Sequence, residues 1–178
     1  MDNISSFLVD WCIRFLQNKD SIMNEIISIE KTQQNAFTIH YKDKVKYFFI
    51  APIINNDAFN NLKMDGLIGI FTLNNPSNIR FIVTEWKNLI EFKFLSICFI
   101  NPFSAADKIW GISPYIHDRI CDKSSLELGL KSMAEMVAPL GIEELNNKVR
   151  IESIAVCSQY SKILCLSFTI FEPPFDFI

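Results

Sequence analysis

Leu67-Ile68-Gly69-Ile70-Phe71-Thr72-Leu73, then Asn74-Asn75-Pro76-Ser77-Asn78, then Ile79-Arg80-Phe81-Ile82-Val83-Thr84, is the stretch whose reading decides the fold. Two apolar runs rich in β-branched and aromatic residues flank a cluster of turn formers, which predicts strand, turn, strand. Trp86-Lys87-Asn88 reads as the next turn. A third strand follows within 89–100, closed by Pro102 and Ser104. Strands joined this tightly are antiparallel, because a parallel crossover needs a dozen or more residues.

The flanking sequence continues the theme. Upstream, Ile27 and Ile29, then Phe37, Ile39 and Tyr41, alternate with polar residues, and a further run from Val45 is stopped at Pro52. The polar breaks at 32–35 and 42–44 fit a meander. Asn55-Asn56-Asp57 offers an N-cap for a short helix over 58–64. At the start of the chain, Ile4, Phe7, Leu8, Trp11, Cys12, Phe15 and Leu16 recur at helical spacing, predicting an amphipathic helix over 4–16. Downstream, 109–113 reads as a short strand before Pro114. Ser124-Ser125-Leu126-Glu127 has the pattern of a capping box, opening a helix near 124–138 with Leu126, Leu130, Met133 and Val137 as its apolar face. Gly129 costs about 1 kcal/mol inside such a helix, which points to close contact with another backbone. The stretches 151–157 and 163–171 read as a last strand pair, and 172–178 as an extended tail.

The expected architecture is therefore one α+β domain over 1–178: a largely antiparallel, meander-like sheet with the two helices packed on it. Composition agrees with a packed domain. Of 178 residues, 49% are hydrophobic and 21% charged, with sixteen Phe against five Gly, which excludes a disordered or coiled-coil chain. Asp10 and Arg14 interrupt the first apolar run, and no stretch reaches the roughly 20 apolar residues of a membrane span. Five scattered cysteines without a C-x-x-C pair point to a reduced, cytoplasmic setting. A net charge of −3 gives no electrostatic reason for nucleic acid as a partner.

Three constellations carry candidate chemistry. Asp65 followed by Glu85-Trp86-Lys87 has the residue types of a metal-dependent nuclease or phosphodiesterase, with carboxylates for a divalent ion and a lysine for the phosphate. With 20 acidic and 17 basic residues in the chain, however, about one or two Glu-x-Lys-type triplets arise by chance, and Glu91-Phe92-Lys93 is a second. The segment 115–122 collects His117, Asp118, Cys121 and Asp122. If it is helical, His117 and Cys121 share a face and could pair as base and thiol. The four side chains could instead ligate a metal, though zinc wants more Cys or His ligands than the chain offers here; a solvated loop is the plainer expectation. Lys42, Lys44 and Lys46 beside Tyr41 and Tyr47 form a basic ladder that suits an edge strand protected against aggregation. Dinucleotide, P-loop, serine-hydrolase and zincin motifs do not occur, and no cofactor or metal ligand set is expected. The function that remains is a non-enzymatic protein-interaction module of adaptor, chaperone or inhibitor type, taking another protein or a second copy of itself as partner. The metal-dependent nuclease using Asp65, Glu85 and Lys87 is the rival.

Overall fold

A computed structural model describes residues 2–33, 35–60, 66–122 and 124–151. The chain divides into two compact units, Met1–Ile142 and Glu143–Ile178. In the first, the elements run α1 (Asp2–Asp20), β1 (Ile26–Gln33), β2 (Ala36–Tyr41), β3 (Val45–Ile50), α2 (Asp57–Asn60), β4 (Leu67–Leu73), α3 (Pro76–Leu89), β5 (Leu95–Ile100), β6 (Ile109–Ile112), α4 (Pro114–Ile120) and α5 (Leu126–Glu135). A helix α6 spans 142–151, and within the second unit its Leu145 and Val149 are buried one turn apart. The expected strand pair at 151–157 and 163–171 and the tail at 172–178 lie outside the described residues, apart from residue 151, which ends α6.

The six strands form one sheet in sequence order, β1-β2-β3-β4-β5-β6. The first three are the expected meander, with Phe37 opposite Phe48 and Ile29 opposite Ile39. From β3 onward the expectation of a largely antiparallel sheet is overturned. β3, β4 and β5 are parallel, and only β6 turns back, so the sheet is mixed. The cause lies at 76–89, which is not a strand and a turn but the helix α3, the crossover that parallel pairing requires. The Asn75 side chain caps it by accepting from the Asn78 backbone amide at 2.9 Å, and Pro76 occupies its first turn, a position that tolerates the missing N–H. Buried Ile82, Trp86 and Leu89 recur at spacings of four and three. The residues expected to turn the chain, Trp86-Lys87-Asn88, are helical.

The two sheet faces are covered differently. On one, α3 and α5 bury Ile68, Ile70, Leu95, Ile97, Phe99, Trp110 and Ile112 together with Ile82, Trp86, Leu130 and Val137. On the other, Phe48 stacks between Phe37 and Phe71 at ring-centroid distances of 5.0 and 5.6 Å. Gly69 of β4 leaves the room for that ring. Helix α1 lies on this second face, burying Leu8, Val9 and Cys12, and runs one turn past the expected break. The Asp20 carboxylate ends it by accepting the amides of Glu25 and Ile26 at 3.1 and 2.9 Å, which sets the start of β1.

The basic ladder is corrected as well. Lys46 lies on β3, an interior strand, and Lys42 and Lys44 lie in the turn between β2 and β3, so the ladder guards no edge strand. Lys46 turns onto the α1 face, where it donates to Ser96 Oγ at 2.8 Å and lies over the Phe48 ring. Burial lowers its ammonium pKa from the ordinary lysine value. Lys42 and Lys44 pair with Glu25 and Asp43.

Candidate functional site

In open sheets with parallel strands, ligands gather outside the carboxyl ends of those strands. Here the chain fills that region itself. Asn74 and Asn101 directly follow β4 and β5, and Asn78 is the third residue of α3; all three are buried. Asn74 Nδ2 donates to the Ala134 carbonyl at 2.9 Å and the Val137 carbonyl at 2.5 Å, and its Oδ1 accepts from the Trp110 indole at 2.8 Å. Asn78 Nδ2 faces Pro52 O, Thr72 Oγ1 and Leu73 O, while its Oδ1 accepts from the Ile54 amide. Asn101 donates to the Ala138 carbonyl. Among the described residues no buried side-chain polar atom lacks a partner, so this network is a lock holding the strand ends and offers nothing to a ligand.

The open space lies elsewhere. A groove of about 260 Å³ runs along β6, α4 and α5, lined by residues that include His117, Cys121, Ser125, Gly129 and Met133. Residues 114–120 are helical, with Ser113 at the N-cap position and Pro114 in the first turn. The plainer expectation of a loop therefore fails, and His117 and Cys121 do come to one groove. They do not form a reactive pair. His117 Nδ1 is engaged by the Ser113 backbone, 3.1 Å from its amide and 2.8 Å from its carbonyl oxygen. No hydrogen bond joins the imidazole to Cys121 among the described residues. Cys121 is the C-cap of α4, where the negative end of the helix dipole works against a thiolate. Asp118 is turned away to α3, accepting the Trp86 indole N–H at 3.0 Å.

The groove's apolar side comes from α5. The expected capping box is not made: Ser124 Oγ donates to the Asp122 carboxylate, which holds that acid below the ordinary Asp range. Glu127 pairs with Lys131 instead. Met133, expected in the core, is 41% exposed and lines the groove. Gly129 sits mid-helix, and among the described residues nothing beyond its chain neighbours and its own helix backbone lies within 4 Å of where a Cβ would stand, so the expected close approach is not made by any of them. Gly129→Ala is therefore expected to raise stability by about 1 kcal/mol, read as a shifted urea midpoint at unchanged slope. Thiol mapping gives a second check on this geometry. Cys121 is exposed, whereas Cys12 is fully buried and burial pushes its thiol up. Iodoacetamide followed by peptide mapping is expected to label Cys121 at least ~100-fold faster than Cys12, which reacts only when the chain opens.

The nuclease candidates do not assemble in the described part. Glu85 and Lys87 stand two residues apart on α3, roughly 200° around the helix, and so point to different sides. Asp65 lies outside the described residues. Glu85 instead edges a second pocket, of about 380 Å³, lined by Asn56, Phe59, Phe81, Glu85, Asn88, Leu89 and Phe92. Nothing in the local sequence signalled that pocket, because its three rings come from α2, α3 and the segment after α3. Among the described residues no three His, Cys, Asp or Glu side chains gather as a metal site, and no helix is long and apolar enough to cross a membrane. In comparisons with known proteins, no family model, curated protein or solved structure matches this chain.

Proposed function

We propose that the chain is a single-domain protein-interaction module whose contact surface is the groove along α4 and α5. The observation that carries this reading is Gly129: a helix-weakening residue at a position where, among the described residues, nothing beyond its chain neighbours and its own helix backbone lies within 4 Å of where a Cβ would stand. A partner's side chain can use it. The groove's size supports the same occupant, since about 260 Å³ falls below the usual 300–1,000 Å³ of small-molecule sites but suits one apolar anchor residue. Met133, in the groove wall, is 41% exposed, and on the same two helices or at their ends Ile120, Leu128 and Met136 are 72%, 73% and 53% exposed. Apolar side chains left open beside a pocket are the composition of an interface core. The occupant is an aliphatic or aromatic side chain on a partner protein. Cytoplasmic placement belongs to the same reading.

Site-specific photo-crosslinking in the protein's own cells tests it. With p-benzoylphenylalanine in place of Met136, one partner chain is expected to be captured, and Gly129→Leu in the same chain is expected to abolish that product by filling the groove. Equal capture from a reporter in place of Lys42, on the β2–β3 turn, or capture that survives Gly129→Leu, overturns the reading.

A further inference from the structure

The pocket beside α3 has a chemistry different from that of the groove, and its ligand does not depend on the interaction reading. Phe59 and Phe81 lie nearly parallel with centroids 5.9 Å apart, and Phe92 is inclined by 47° to Phe59 at 6.4 Å. All three rings are only half-buried, so about 380 Å³ of open space is bounded by aromatic surface. Among the described residues, the polar side chains at this pocket are the Asn56 and Asn88 amides and the Glu85 carboxylate. Asn88 Nδ2 donates to Glu85 Oε2 at 2.7 Å, which fixes the carboxylate in place. No cation of the chain pairs with Glu85 among the described residues.

We propose that this pocket binds a compact alkylated ammonium ion. Aromatic rings present negative charge on their faces and attract cations, more so when the cation carries little water. A carboxylate attracts the same sign. An anion would meet repulsion from both, and a neutral apolar molecule would strip water from Glu85 without replacing it. A methylated ammonium satisfies the rings with its methyl groups and the carboxylate with its charge. The pocket volume, at the low end of the small-ligand range, suits a head group of this size.

The test is a titration of the isotope-labelled full chain with choline chloride, at ionic strength held constant with sodium chloride. The amides of Asn56, Phe59, Phe81, Glu85, Asn88 and Phe92 are expected to shift together with millimolar saturation. The neutral isostere 3,3-dimethyl-1-butanol is expected to bind about tenfold more weakly. Glu85→Gln, which keeps the acceptor for Asn88, is expected to weaken choline binding about fivefold while leaving Tm in place, and Phe81→Leu to weaken it about tenfold. Equal affinity for choline and its neutral isostere, no saturable shifts, or an unaffected Glu85→Gln variant each overturns the proposal. A free amine and a methylated lysine side chain share this head group. A short peptide bearing trimethyllysine, titrated beside choline, assigns the source by which of the two binds tighter.

Discussion

Asn78→Asp is expected to cost at least about 3 kcal/mol of stability, although it exchanges a single NH₂ for an oxygen. The wild-type Nδ2 lies 2.9 Å from the Pro52 carbonyl, 2.7 Å from Thr72 Oγ1 and 2.9 Å from the Leu73 carbonyl. Both carbonyls can only accept, and the site is fully buried. An aspartate oxygen placed there turns attraction into repulsion and leaves a buried charge unpaired. The sign with pH follows from that charge. The new carboxyl would have its pKa raised above the unfolded value of roughly 3.9. The deficit is then smallest below that value, where both states hold the proton, and grows as pH rises towards the folded pKa. Urea unfolding of wild type and variant at acidic and neutral pH measures it. A deficit independent of pH would contradict the assigned hydrogen bonds.

Gly69→Val is the second large effect. A Cβ at this position would stand 2.5 Å from Cδ1 and 2.6 Å from Cε1 of Phe48. A surface ring would swing away, but Phe48 is 3% exposed and held between Phe37 and Phe71. Relief must come from the backbone of β4, which is paired in parallel with a strand on each side. A loss of about 3 kcal/mol is expected, by the cost of overpacking a close-packed core. Phe48→Leu in the same chain is expected to recover part of it, because a smaller side chain frees the space. Additive losses in the double variant would show that the two positions do not meet.

The two stretches that sequence reading misplaced, 76–89 and 114–120, failed for one physical reason. Each opens on an N-cap-position residue followed by proline, Asn75-Pro76 and Ser113-Pro114; from sequence, Pro76 reads as part of a turn between strands and Pro114 as the end of one. Proline in the first turn of a helix fits the same residues equally well. In α3 the β-branched run at 79–84 matched a strand locally and hid the longer period of Ile82, Trp86 and Leu89. The cost of that misreading was the sheet topology, since a helix at 76–89 is what makes β4 and β5 parallel. The β1–β3 meander, α1 and α5 were legible because their apolar periods are unbroken. At the site, spacing alone brought His117 and Cys121 to one face. It could not show that His117 is tied to the Ser113 backbone, nor that Asp118 reaches across to Trp86, 32 positions earlier. The asparagine lock and the phenylalanine pocket were illegible for a similar reason, because their partners are distant in sequence and close only after folding.

The central claim is that the groove along α4 and α5 receives a side chain from a partner, and that Gly129 keeps it open. Native mass spectrometry of the chain captured gently from its own cells, as wild type and as Gly129→Leu, tests this most directly. The wild type is expected to carry one stoichiometric protein mass above its own 20.6 kDa. The variant is expected to be at least as stable and to appear bare. A variant that retains the same bound mass as the wild type would contradict the claim.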